Sequence, residues 1–139
     1  MNTLRTALVP GLIAGLLSIF ASWFWMGFAF HSYQRATPDT WRPEGPRNYI
    51  LSSIIRLLSV IAIAALYVLI ARFHVGFFSE GILGALRFAV VIWIALLAPV
   101  IVEAAIYIRL HSMVVLGQVL DWLTATILAC GVTAWWITR

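Results

Sequence analysis

The stretch YILSSIIRLLSVIAIAALYVLIA, residues 49–71, decides the fold. It is apolar except for two serines, one more serine at position 59 and the lone charge of Arg56. Its length meets the roughly 20 residues that a helix needs to cross a bilayer. Three similar segments lie around it. They run from about Ala7 to Phe30, from about Gly81 to Ile108 and from about Met113 to Ile137. The expectation is therefore an all-α, polytopic membrane protein, a single domain over residues 1–139 built as a bundle of four transmembrane helices.

Composition agrees. The chain of 139 residues is 63% hydrophobic and 10% charged, against about a quarter charged in ordinary soluble domains. So few charges cannot cover the surface of a soluble fold, and the lipid bilayer is the natural solvent. The net charge of +4 comes from nine arginines without a lysine. They are spread along the chain, so the basic balance gives no reason to expect nucleic acid as a partner. The single Cys130 excludes an internal disulfide and reads as a small core residue.

The first segment is too long and too aromatic for a cleaved signal peptide and reads as a retained helix. HSYQRATPDTWRPEGPRN, residues 31–48, reads as an extra-membrane loop, and RFHVGFFSE, residues 72–80, as a short one. In the latter, Ser79 is expected to cap the third helix, with Glu80 near the positive end of its dipole. Four spans place both termini on one side. Arg35, Arg42, Arg47 and Arg109 then lie on the loop side, and Arg5, Arg72, Arg87 and Arg139 on the termini side. The positive-inside count is a tie and leaves orientation open.

Three ionisable residues fall inside the apolar segments. Arg56 lies in the second, Glu103 in the third, within APVIVEAAIY at residues 98–107, and Asp121 in the fourth. Alternating helix directions displace all three toward the face that bears the long loop, into one layer. A lone arginine or aspartate at mid-membrane costs about 2.5–3.5 kcal/mol on insertion scales, so an inward-facing cluster is expected. Ser52 and Ser59 flank Arg56 at helical spacing, and Tyr107 follows Glu103 by one turn. Gly117 stands one turn before Asp121 on the same face. Gly11, Gly15, Ser18 and Ser22 form a small-residue stripe suited to close helix approach. Pro99 is expected to kink the third helix.

Two readings of the cluster stand side by side. It is either a structural ion-pair network that sets helix register, or a proton- or substrate-binding site. His31, His74 and His111 lie at helix ends without ligand spacing, so neither metal nor cofactor is expected. No nucleophile elbow, phosphate loop or paired-carboxylate motif is present, and no catalytic residue is nominated. The aromatic run SWFWMGFAF at 22–30 with Trp41, and the pair Trp135–Trp136, read as interfacial belts.

Trp23, Phe24, Phe28 and Ala29, with Trp41 beyond, approach a Trp-Tyr-x-x-x-Phe-Gly pattern. In this the chain resembles an uncharacterised family of small bacterial four-helix membrane proteins, a domain of unknown function. Here phenylalanine replaces the tyrosine and alanine the glycine. The resemblance implies a multi-pass protein of the bacterial inner membrane and carries no catalytic residue. The function expected is that of a non-catalytic membrane protein. It would act through helix packing with partners, as a homo-oligomer or as an accessory subunit of a membrane complex. The alternative is a proton-coupled transporter of small molecules or ions that works as a homodimer.

Overall fold

The computed structural model describes residues 3–42 and 45–139; Pro43 and Glu44 of the long loop lie outside them. Among the described residues every regular element is helical. The order is α1 (Thr3–Ser22), a π-helical segment (Trp23–Ala29), α2 (His31–Gln34), a 3-10 turn (Pro38–Thr40) and α3 (Pro46–Arg72). There follow α4 (Gly81–Ile92), a second π segment (Trp93–Leu97), α5 (Ala98–Tyr107) and α6 (Ser112–Ile137). Four continuous stretches, Arg5–Ala29, Pro46–Arg72, Gly81–Tyr107 and Ser112–Ile137, are long and apolar enough to cross a membrane. The protein is a multi-pass, all-α membrane protein.

Local chemistry explains the helix starts. Pro46 stands in the first turn of α3, where a missing N–H breaks no helical bond. His111 caps α6, its Nδ1 accepting from the Met113 backbone N–H at 3.2 Å. The start of α4 departs from expectation. Glu80 rather than Ser79 occupies the cap position, and no side chain caps it. The chain turns at Gly81 with φ of +55°, a conformation that glycine adopts freely. Ser79 Oγ donates back to the Gly76 carbonyl instead, and Glu80 accepts from Arg87 Nη1 at 2.6 Å.

The bundle is centred on α6, which packs against α1, α3, α4 and α5, while α1 also lies along α3. Small residues permit this. A Cβ on Gly11 would stand 3.1 Å from the Ile61 Cα, and one on Gly15 would collide with Leu57 Cδ1. Where α1, α3 and α6 meet, Ala14, Val60, Ala125 and Ala129 form a buried cluster. A second cluster joins Tyr67 to Ala85, Phe88, Ala89, Cys130 and Ala134 and holds α4 in place. Tyr67 Oη also donates to the Gly81 carbonyl at 3.2 Å. Lipid tails are as apolar as these side chains, so close packing and hydrogen bonds drive such association.

The third span stands apart. Only 6% of its apolar window is buried, against 22–39% in the other three. Its two halves also differ, because the helix is not regular. The Ala98 N–H bonds to the Trp93 carbonyl, five residues back. Pro99 follows with no N–H to give and a ring that crowds the carbonyl four residues earlier. The expected kink thus takes the form of a π segment just ahead of Pro99, and the extra residue turns the helix face.

Candidate functional site

Arg56 and Asp121 meet in the membrane layer. Arg56 Nη1 donates to Asp121 Oδ1 at 3.0 Å, and Nη2 donates to Oδ2. Both residues are buried, with 8% and 2% of their surfaces exposed. The arginine comes from α3 and the aspartate from α6. This two-pronged geometry suits a planar guanidinium. Ser22, at the end of α1, donates to Asp121 Oδ2 at 3.0 Å, so all three inner helices contribute.

Depth follows from the helical rise of about 1.5 Å per residue. Measured from the middle of each span, Arg56 and Asp121 lie about 5 Å, and Ser22 about 7–8 Å, toward the long-loop face. A charge this deep needs a partner, and the pair answers that need as a neutral unit.

Indoles close the layer. The Arg56 Cζ sits 4.8 Å from the Trp122 ring centroid, a cation–π contact. Trp25 Nε1 donates to Thr124 Oγ1 at 3.1 Å, and that hydroxyl donates to the Leu120 carbonyl at 2.9 Å. Trp93 Nε1 donates to the Val119 carbonyl at 2.8 Å. On the loop side, Phe30 packs on Gly117 so tightly that a Cβ there would stand 2.8 Å from its ring. Tyr33 stacks on His111 at 5.0 Å between ring centres. Among the described residues no buried side-chain polar atom lacks a hydrogen-bond partner.

The other expected members of the cluster are elsewhere. Glu103 is exposed on α5, a helix with no buried residue. It lies about 13–14 Å from the middle of its span, by the same rise. There a carboxylate reaches the interface. Tyr107 is 83% exposed. Ser52 is exposed on α3, and Ser59 Oγ turns back to the Ile55 carbonyl at 2.9 Å. The expectation that Glu103 faces Arg56 is therefore corrected.

Helical phase gives the reason. Glu103 follows Ala85 by five turns of a regular helix, at about 3.6 residues each, and Ala85 is buried in the core. One extra residue in the π segment rotates everything beyond it by about 100°. Ala98, Ile101, Ala104 and Ala105 are the half-buried residues of α5 instead.

The small-residue stripe divides. Gly11, Gly15 and Ser18 are buried, with Ser18 Oγ bonded to the Gly15 carbonyl at 3.0 Å. Ser22 completes the ion pair rather than the helix contact. Sequence reading passed over Trp122 and Trp93, the first signalled only by standing beside Asp121 and the second by residue type alone, and it placed Trp25 in an interfacial belt rather than in this layer.

The chemistry open to this site is narrow. The one hydroxyl on the pair, Ser22 Oγ, donates to Asp121 Oδ2, the carboxylate oxygen that also accepts from Arg56 Nη2. The histidines are scattered: His31 Nδ1 lies 3.3 Å from Gln34 Oε1, His111 caps α6, and His74 sits at the opposite face. Among the described residues no three potential metal ligands come together. Two open grooves, each about 340 Å³, lie at the termini face and not on the pair. Phe77, Leu86, Arg87, Val90 and Val91 line one; Arg5, Thr6, Trp136 and Ile137 line the other.

No curated protein and no solved structure matches the chain. One family model matches over residues 9–134, nearly the whole length, and takes in most of the first and fourth spans, all of the two between them and every residue of the site. The chain belongs to that family, described as protein of unknown function (DUF1761).

Proposed function

We infer that the protein is a non-catalytic membrane component that works through helix packing, as a homo-oligomer or as an accessory subunit of a larger membrane complex. The observation that carries this reading is the contrast between a sealed interior and an open third span. The Arg56–Asp121 pair is buried, Ser22 beside it is half-buried, and the group is internally satisfied. This supports a fastener that holds three helices in one register, in the manner of buried polar groups that specify packing. The third span, with 6% of its window buried, offers surface to a neighbour.

Purification into lipid nanodiscs without exchange through harsh detergent, followed by mass measurement, tests the reading. A dimer or a larger complex is expected, and lone chains of 15.5 kDa under every condition overturn it. The transport alternative needs water at the pair. Single cysteines at positions 56 and 121 in a C130A background, probed with a membrane-impermeant thiol reagent, separate the two. Protection in native membranes supports the fastener, whereas labelling from one face supports a wetted pathway.

The membrane we assign is a bacterial inner membrane, on the resemblance to small bacterial membrane proteins, while the aromatic run near the end of the first span supports a membrane boundary there. Trp23, Phe24 and Phe28 stand exposed on the π segment, where they suit the headgroup boundary. We assign no cofactor, metal or nucleic acid to the protein.

A further inference from the structure

We propose that His111 is a proton-sensitive latch on the loop face: neutral, it holds the first turn of α6, and protonated, it lets that turn go. The latch is built on one hydrogen bond. His111 Nδ1 accepts from the Met113 backbone N–H at 3.2 Å, which satisfies a donor that the start of a helix leaves open. An imidazole accepts only when neutral, with its proton on the other nitrogen. A doubly protonated ring has two donors and no acceptor, so no orientation of it can cap. It also sets a positive charge at the positive end of the helix dipole. The stabilisation is therefore present above the imidazole range and lost as pH falls through it.

No acid compensates the protonated form. Arg109 stands two residues before the latch, and the first turn of α6 carries no acid. α2, α5 and the first π segment pack against α6. The π segment has no titratable side chain; α2 brings His31 and Tyr33, with Arg35 after it, and α5 brings Glu103 and Tyr107. Asp39 adjoins Thr40, whose hydroxyl donates to the Arg109 carbonyl at 3.1 Å. Among the described residues neither acid forms an ion pair with His111. Tyr33 stacks on the imidazole at 5.0 Å. Its ring attracts a cation but supplies nothing to the Met113 N–H. One turn into α6, Phe30 closes on Gly117, and Asp121 follows a turn later. Acidity on the loop face thus acts on the turns that cover the buried pair.

The test uses the full chain in a neutral detergent, taken from about pH 8 to about pH 5, either side of the value of about 6.5 at which a free imidazole takes its proton. The methionines are Met1, Met26 and Met113, so selective nitrogen-15 labelling isolates the Met113 amide. Its resonance is expected to move over this interval in the parent and to stay in place in His111→Asn, whose side chain caps without titrating. In thermal unfolding the parent should lose roughly 3–5 °C more over the same interval than His111→Asn, the worth of one cap in a chain of this length. His31→Asn and His74→Asn should keep the parent's loss. A Met113 resonance that does not move in the parent overturns the latch. So does a loss in His111→Asn as large as the parent's, or the disappearance of that loss in His31→Asn or His74→Asn.

Discussion

The fourth span and the third make an instructive pair. Each is apolar, each spans a membrane's thickness, and each carries one carboxylate displaced toward the long-loop face. In α6 the carboxylate is Asp121, buried among α1, α3 and its own helix and bonded to Arg56 and Ser22. In α5 it is Glu103, exposed and four residues from the end of its span. The difference does not come from hydropathy, which is high in both. It comes from which face each helix turns inward. α6 is a regular helix that other helices surround. The third span lies against α6 along α4, then loses its phase at Trp93–Leu97 and leaves α5 with no buried residue.

Breaking the buried side of this comparison should have the largest effect. Asp121→Ala leaves Arg56 unpaired in the bundle and is expected to cost about 3–5 kcal/mol, the usual penalty for removing one partner of a buried pair. Replacing both residues, as Arg56→Leu with Asp121→Leu, should recover most of that loss. Reversible unfolding in bicelles, read as a double-mutant cycle, measures both. A double variant as unstable as Asp121→Ala would show that the pair does more than satisfy itself.

Packing comes next. Gly84→Ala would drive a Cβ into the Phe78 carbonyl, which is backbone and cannot rotate away, and Gly117→Ala meets the Phe30 ring at 2.8 Å. Overpacking of this kind costs about 1–3 kcal/mol. Gly131 has nothing within 4 Å of the same position, so Gly131→Ala should stabilise α6 by up to about 1 kcal/mol through helix propensity. The sign change along one helix, from Gly117 to Gly131, is the measurement to make by thermal unfolding.

A smaller loss is expected where the third span is tied to α6. Trp93→Phe removes the hydrogen bond to the Val119 carbonyl and should cost about 0.5–1.5 kcal/mol. Smallest of all is Glu103→Gln, expected within about 0.5 kcal/mol of the parent, as for an exposed site away from special contacts. A large loss on that change would mean that a partner covers α5 and contacts its carboxylate. Glu103→Cys should likewise label readily with a water-soluble reagent from the loop face, where Asp121→Cys stays protected.

Much of the architecture was legible in the chain. The four spans began and ended within about three residues of the expected limits, because a bilayer demands length and apolarity and both are written linearly. The need for Arg56 to find a partner was legible too, as was the closeness of Gly11 and Gly15 to another helix. Ser79 as a cap was not, since Gly81 turned the backbone another way. Ser22 was visible only as a small residue, and its bond to Asp121 depended on where α1 ended against α6.

What the sequence by itself determined is which segments cross and that Arg56 and Asp121 share a depth; Glu103, expected in the same layer, stands about 8–9 Å nearer the interface. Depth grows by about 1.5 Å per residue and tolerates small errors. The direction each residue faces advances by about 100° per residue, so one extra residue in a π segment turns an inward carboxylate outward. Only the tertiary structure, through the π segment before Pro99 and the packing of α1, α3 and α4 around α6, decided that Arg56 pairs with Asp121 and that Glu103 stands outside.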